Sequence, residues 1–277
     1  MSNQEISSDD GLAVRSSGTW AEEKLYYLRS YLDIFSVGMK KKWAGSLYYV
    51  DMFAGPGRCR IRGSEKEFDG SPLIAVTGFD FANYYLFESD PTAFHALEER
   101  VQVRAPNKVR NVRMIPGDCN DTIEQANIPQ EGLGVAFIDP TGISQIPFET
   151  MRKLTTGRQM DLIINFPEGM GIRMNIHQYT QTDTNALSRF MGSERWRTRY
   201  NQSLTSFNQV CSEIAKEYLA NLEALGYRSL DSDWIPVRTD QNALIYYLLY
   251  ASKHPRGNDF WHKITRINPH GQRELFS

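Results

Sequence analysis

The sequence predicts an α/β fold: a mostly parallel sheet with helices on both faces. Three observations lead there. Five apolar runs, Leu47–Asp51, Asn83–Glu88, Val112–Ile115, Val135–Ile138 and Asp161–Pro167, do not alternate with polar residues, and helical patterns separate them. Strands of that kind are covered on both faces, as parallel strands joined by crossover helices are. The first run stops at Ala54-Gly55-Pro56-Gly57, and the later four end in an acid or amide: Glu88, Asp118, Asp139 and Asn165. Open α/β sheets bind ligands at the carboxyl ends of their strands, where these residues gather. Finally, Trp234–Val237 and Leu244–Tyr250 lie close enough in sequence for an antiparallel pair at one side of the sheet.

Residues 1 to about 18 are rich in Ser, Asp and Gly, and composition predicts a flexible tail. A helix opens with the capping-box match Thr19 to Glu22. Its stripe is Leu25, Leu28, Leu32, Phe35 and Met39, and Lys40, Lys41 and Lys42 fall at its end, where cations favour the helix dipole. After the glycine turn, Arg58-Cys59-Arg60-Ile61-Arg62 and a charged stretch to Asp69 separate the first strand from a helix with Ser71 as cap and Pro72 in its first turn. Arginines spaced by two on an extended segment point to one side, as a grip on phosphates or a carboxylate; the alternative is a solvated loop with scattered charge. Asp90-Pro91 starts the next helix, with Phe94, Leu97 and Val101 inward. Residues 169–192 suggest a lid or an irregular helix. Arg195, Arg197 and Arg199, interleaved with Trp196 and Tyr200, form a second basic and aromatic cluster, and Phe207, Val210, Cys211, Ile214 and Tyr218 form a helix closing at Gly226. No repeat or low-complexity linker divides the chain. The expected organisation is one domain over 19–277 with a helical insertion around 168–226.

A net charge of −2 gives no global signal for a polyanionic partner, so a nucleic-acid surface would have to be a local basic patch. The apolar runs are too short to span a bilayer, and the polar, acidic start is unlike a signal sequence, so a cytoplasmic protein without membrane contact is expected. Cys59, Cys119 and Cys211 are odd in number and widely spaced, and the five histidines show no ligand spacing. A disulfide framework, a metal site and a hydrolytic triad are all unsupported.

Five parallel strands followed by an antiparallel pair resemble the class I S-adenosylmethionine-dependent methyltransferases, whose Rossmann-like sheet has seven strands, the last antiparallel. In that resemblance Asp51-Met52-Phe53-Ala54-Gly55-Pro56-Gly57 is the first motif, with Asp51, Phe53, Ala54, Gly55 and Gly57 around the methionine and ribose parts of the cofactor. Glu88 accepts hydrogen bonds from the ribose hydroxyls, and Asp118 with the Cys119 amide faces adenine. Asp139-Pro140-Thr141-Gly142 stands where amino methyltransferases of nucleic acids carry Asp/Asn-Pro-Pro-aromatic. Together with Arg58–Arg62, Asp69-Gly70-Ser71-Pro72-Leu73 and Ala251-Ser252-Lys253-His254-Pro255, these residues are similar to the three-Cys-motif partner proteins (TcmP), a bacterial, methyltransferase-like family named for a neighbouring radical-SAM-like protein.

The resemblance implies S-adenosylmethionine as cofactor and methyl transfer as activity but does not set the substrate; the two arginine clusters, expected to reach the cofactor edge, point to a nucleic acid, with an amino nitrogen as the favoured acceptor. Asp139 and the Pro140 carbonyl would hold the acceptor amine. Arg58, Arg60, Arg62, Asn165 and Phe166 would contact the substrate, Phe166 replacing the stacking ring that Thr141 and Gly142 lack. Another class of reading is a cofactor-binding but silent partner of the radical-SAM-like three-Cys-motif protein in nucleic-acid repair or phage defence. A nicotinamide-binding protein is weaker, because the turn lacks the full Gly-x-Gly-x-x-Gly pattern.

Overall fold

A computed structural model describes residues 5–182, 185–201, 207–228 and 234–266. In chain order these form β1 (Glu5–Ile6), β2 (Ala13–Ser17), α1 (Trp20–Lys40), β3 (Leu47–Asp51), β4 (Arg58–Ile61), β5 (Glu67–Asp69), α2 (Ser71–Gly78), β6 (Asn83–Glu88), α3 (Pro91–Arg104), β7 (Val112–Pro116) and α4 (Cys119–Thr122). There follow β8 (Leu133–Ile138), α5 (Phe148–Thr155), β9 (Gln159–Phe166), α6 (Ile176–Thr180), α7 (Ala186–Met191), α8 (Arg195–Asn201), α9 (Phe207–Glu223), β10 (Ile235–Arg238), β11 (Leu244–Ala251) and α10 (Pro255–Thr265).

The main sheet has seven strands in the order β10-β11-β9-β8-β3-β6-β7. Pairing is parallel from β9 to β7, and only β11 runs antiparallel to its neighbours. This is the strand order of the class I methyltransferase architecture. Strands leave β3 outward through β6 and β7, and the chain then returns to β8 on its other side. The switch of direction beside β3 opens a crevice at the strands' carboxyl ends.

Apolar runs do not alternate here because both faces are covered. Tyr49, Leu86, Val135 and Phe137 pack with α1, α2, α3 and α10, while Val50, Phe87, Ala136 and Ile138 pack with α5, α7 and α9. Between β9 and β10 the described elements are helical: a single π-helical turn, Glu168–Arg173, leads into α6 to α9, and Phe148, Phe166 and Phe190 close around Tyr218. Lys253 and His254 are structural: Lys253 Nζ donates to the Thr155 and Arg158 carbonyls at 3.0 Å, and His254 Nδ1 caps α10 by accepting the Arg256 N–H. No helix among the described residues is long and apolar enough to cross a membrane.

A second sheet of four strands, β1-β2-β4-β5, corrects the expectation of a flexible tail. Residues 5–17 form a hairpin whose β2 pairs in parallel with β4, Arg15 opposite Cys59 and Ser17 opposite Ile61. Composition misleads because this strap has almost no core of its own beyond Ala13 and Val14. It is held instead by polar contacts, among them Ser7 Oγ donating to Glu67 at 2.6 Å and those of Arg100 of α3, which is 2% exposed. Arg100 Nη1 donates to the carbonyls of Ala13 and Pro56 at 2.6 Å, and its Nε and Nη2 grip the Asp10 carboxylate at 2.8 Å. That grip is the first cause of the Asp10 carboxyl falling to about 2. One buried guanidinium therefore ties the strap to the glycine turn.

Candidate functional site

Gly55 and Gly57 have φ of +65° and +84°, so the exit from β3 needs residues free to enter the left-handed region. A Cβ on Gly57 would also stand 2.8 Å from Leu97 Cδ1. The chain leaves Gly57, makes the β4–β5 hairpin and returns, because the Gly70 N–H donates to the Gly57 carbonyl at 2.8 Å. Helix α2 thus starts beside the turn after all, and the arginine stretch is a hairpin looped out between strand and helix. Asp51 is wholly buried and supports the turn from beneath, accepting from the Phe53 N–H at 3.3 Å and the Tyr49 hydroxyl at 3.0 Å. Burial pushes its carboxyl up to about 6 against those hydrogen bonds and one from Ser71.

Two chambers of about 300 and 310 Å³ adjoin at this turn and share Arg15, Phe53, Pro56, Asp139 and Thr141 as walls. Asp51 lines neither. The first chamber contains Gly55, Met52, Phe87, Glu88, Asp118 and Cys119. Glu88 accepts the Gly55 N–H on Oε2 and the Asp90 N–H on Oε1, both at 2.7 Å, which leaves outward lone pairs on each oxygen. Asp118 caps α4 through the Asn120 N–H at 2.9 Å. Burial, ahead of the Asp118 charge, pushes the Cys119 thiol up to about 12, so it is a wall and no nucleophile. Ala54 and Gly57 face the other side and line the second chamber, with Trp20, Lys24, Tyr246 and Asn165.

Asp139 stands between the chambers, 7% exposed. Lys24 Nζ of α1 pairs with its Oδ2, and Asn165 Nδ2 donates to Oδ1 at 2.8 Å, leaning also toward the Pro140 carbonyl at 3.5 Å. Burial works to raise this carboxyl, but the Lys24 and Arg15 charges and the two hydrogen bonds outweigh it and hold the group below its ordinary value. It is a fixed anion. Beside it the Tyr246 hydroxyl is buried with no hydrogen-bond partner among the described residues, and Lys24 Nζ lies 5.5 Å from the ring centre.

Other expected substrate contacts are placed differently. Arg58 pairs with Asp9 at 2.7 Å and Glu67 at 3.3 Å, and Arg60 with Glu67 at 2.6 Å, so these guanidinium groups hold the second sheet together. Arg58 and Arg62 line the second chamber; Arg60 lines neither. Phe166 is wholly buried against Phe190 and Tyr218, a core residue and not a stacking surface, because its side chain points away from the strand end under α7 and α9. Of the second basic cluster, Arg195, Trp196, Arg197 and Tyr200 line neither chamber. Trp196 is buried with Nε1 on Ser188 Oγ at 3.1 Å, and Arg197 bonds Glu194 and the carbonyls of Tyr179 and Thr180; the Arg199 side chain lies outside the described residues.

Sequence reasoning missed Arg15, Lys24 and Tyr246. For Lys24 a signal existed. It stands four residues before Leu28, seven before Tyr31 and eleven before Phe35, in the buried row of α1, and a lysine there implies a buried counter-ion. Arg15 had none, since its position depends on pairing with β4.

No family model matches the chain, and no curated protein matches it in sequence. Solved structures with similar chain paths include protein LPL1258 from Legionella pneumophila, at 12% identity over 90% of this chain and 92% of that one, TM-score 0.49. TYW2 of M. jannaschii in complex with AdoMet shares 15% identity over 78% and 74%, TM-score 0.38. The O-methyltransferase TomG of Streptomyces achromogenes in complex with SAM shares 10% identity over 86% and 91%, TM-score 0.41.

Proposed function

We propose that the chain is an S-adenosylmethionine-dependent methyltransferase whose acceptor enters the second chamber, a nucleic acid presenting a base amine. The observation that carries this reading is the charge pattern around the turn: among the described residues, Glu88, Asp118 and Asp139 face the first chamber and Arg15 is the one cation that lines it. A cofactor with a sulfonium, an ammonium, two ribose hydroxyls and one carboxylate suits those walls. A nicotinamide dinucleotide does not, because its two phosphates would meet three carboxylates.

Bound there, the cofactor would supply an electrophilic methyl group on sulfur. Glu88 would accept the ribose hydroxyls on the lone pairs its two amides leave free, and Asp118 with the Cys119 amide would face adenine. Gly55, with no Cβ, lets main chain approach the ligand. Asp139, held as an anion by Lys24 and Asn165, is too weak a base to deprotonate an amine; it orients the acceptor N–H and balances charge that develops on nitrogen. Exposed Arg62, with the Trp20 ring on the same chamber wall, suits a phosphate-bearing acceptor. Membership of the TcmP family and a radical-SAM-like partner belong to the same proposal, on the residues quoted for that resemblance.

One observation favours the silent-subunit reading. Lys24 Nζ already occupies the Asp139 oxygen that an acceptor amine would use. Titration calorimetry with S-adenosylmethionine and S-adenosylhomocysteine, followed by labelled-methyl transfer to RNA, DNA and protein, separates the cases. Binding of neither compound sinks the proposal; binding without transfer to any acceptor identifies the silent subunit. Transfer unaffected by Asp139→Ala removes that residue from the mechanism.

A further inference from the structure

The strap of residues 5–17 is not needed to complete the main sheet, yet it is fastened to the glycine turn by a buried arginine. What it carries to the turn is Arg15. The Arg15 side chain crosses the junction of the two chambers, with Nη1 3.8 Å from where a Cβ on Gly55 would stand. Its guanidinium has no hydrogen-bond or ion-pair partner among the described residues, whereas Arg58, Arg60, Arg100 and Arg104 around it are all paired. A half-buried arginine left unpaired next to a ligand turn is poised for an anion.

Charge decides which anion. Among the described residues, every other charged group lining the first chamber is a carboxylate. The sulfonium and ammonium of S-adenosylmethionine have three partners to choose from, but its carboxylate would be repelled everywhere in the chamber except at Arg15. We infer that Arg15 is the anchor for the carboxylate at the cofactor's amino-acid end, and that the strap is thereby a cofactor-dependent closure for both chambers. This rests on the methyltransferase reading above. A bidentate guanidinium–carboxylate pair on β2 would couple cofactor binding to the order of the whole strap, and through β4 to the wall of the second chamber.

The test compares S-adenosylmethionine with its decarboxylated form, which keeps the sulfonium and ammonium, for the wild-type chain and Arg15→Met. The wild type should bind the complete cofactor at least tenfold more tightly than the decarboxylated one, and Arg15→Met should remove most of that difference while leaving decarboxylated binding within about twofold. Equal weakening of both compounds by Arg15→Met would show that Arg15 acts only through the fold, and overturns the inference. Unchanged affinity for the complete cofactor also overturns it, and a raised acceptor KM would then reassign the guanidinium to the acceptor. Hydrogen exchange in the wild type gives a measurement independent of any variant: residues 5–17 should gain protection with S-adenosylmethionine and not with the decarboxylated compound, and equal protection by both refutes the closure. Should the wild type bind neither compound, the methyltransferase reading itself has failed, a result distinct from all of these.

Discussion

Replacing Glu88 by glutamine separates two roles that the structure superimposes on one carboxylate. Its two oxygens each take a backbone N–H at 2.7 Å, from Gly55 and Asp90, and each keeps a lone pair facing the first chamber. Glutamine has one oxygen and an NH₂, so one of those N–H groups would face a donor. The turn then loses one charge-assisted hydrogen bond, about 1.5–3 kcal/mol, which for a domain of this size lowers Tm by roughly 3–12 °C. A ribose loses an anionic acceptor of similar worth, and affinity for S-adenosylhomocysteine should fall roughly 10- to 150-fold. Titration calorimetry and a melting curve read the two losses separately. A lowered Tm with affinity inside twofold of wild type would mean that Glu88 only holds Gly55, and the assignment of the first chamber to a ribose would be wrong.

Gly57→Ala is expected to cost about 2–5 kcal/mol in urea unfolding, from the left-handed backbone plus a Cβ 2.8 Å from Leu97 and 3.1 Å from Leu73. Gly142→Ala should change stability by less than about 0.5 kcal/mol, since nothing lies within 4 Å and its φ of −167° is ordinary extended backbone. Lys24→Met leaves Asp139 buried and without its counter-ion, a loss of about 3–5 kcal/mol at pH 8 that shrinks as the pH falls and the carboxyl takes a proton; a pH-independent loss would contradict the pairing. Burial pushes Asp161 up to about 6 from an unfolded value of 3.8 despite hydrogen bonds from Ser252, Tyr31 and Tyr250. The folded chain therefore holds that proton more tightly, and the stability so gained, fully present below pH 3.8, is lost as pH rises through 6. Asp51 behaves alike, so Asp161→Asn should reduce the downward slope of stability between pH 4 and 6 by about half, measured by denaturant unfolding; an unchanged slope would show that the proton is not held there.

The sheet was legible because burial on both faces writes itself into sequence as unbroken apolar runs, and a reversal beside β3 follows from helices that must cover both faces. The same logic found Gly55, Gly57, Glu88, Asp118, Asp139 and Asn165, all at strand ends. It could not rank them by what they touch. Asp51 and Phe166 belong to strands as much as to strand ends, and their side chains turn into packed interior. Arg58 and Arg60 were misjudged for a readable reason: Glu67 and Asp69 stand opposite Arg60 and Arg58 on the paired strand, so the charged stretch after the arginines was their partner. The strap lay beyond reach, since its order comes from partners distant in sequence, the β4 edge, Glu67 and an arginine 87 residues beyond Ala13, which no local pattern records.

The looped-out hairpin explains why the site has two chambers. In a direct turn-to-helix connection, the ground above Gly57 would be open. Here β4 rises from that point and gives β2 an edge to pair with, and the strap then passes over the turn with Ser16, Ser17 and Trp20 continuing along the second chamber. Neither strand would be stable alone, because a two-stranded piece with so few apolar residues is marginal in water. Each supports the other, and Arg100 fastens the strap at Ala13 to the turn at Pro56. The ligand turn, the arginine hairpin and the amino-terminal strap are thus one mechanical unit. A ligand that pulls on Arg15 at one end bears, through Cys59 and Arg58, on the wall of the second chamber.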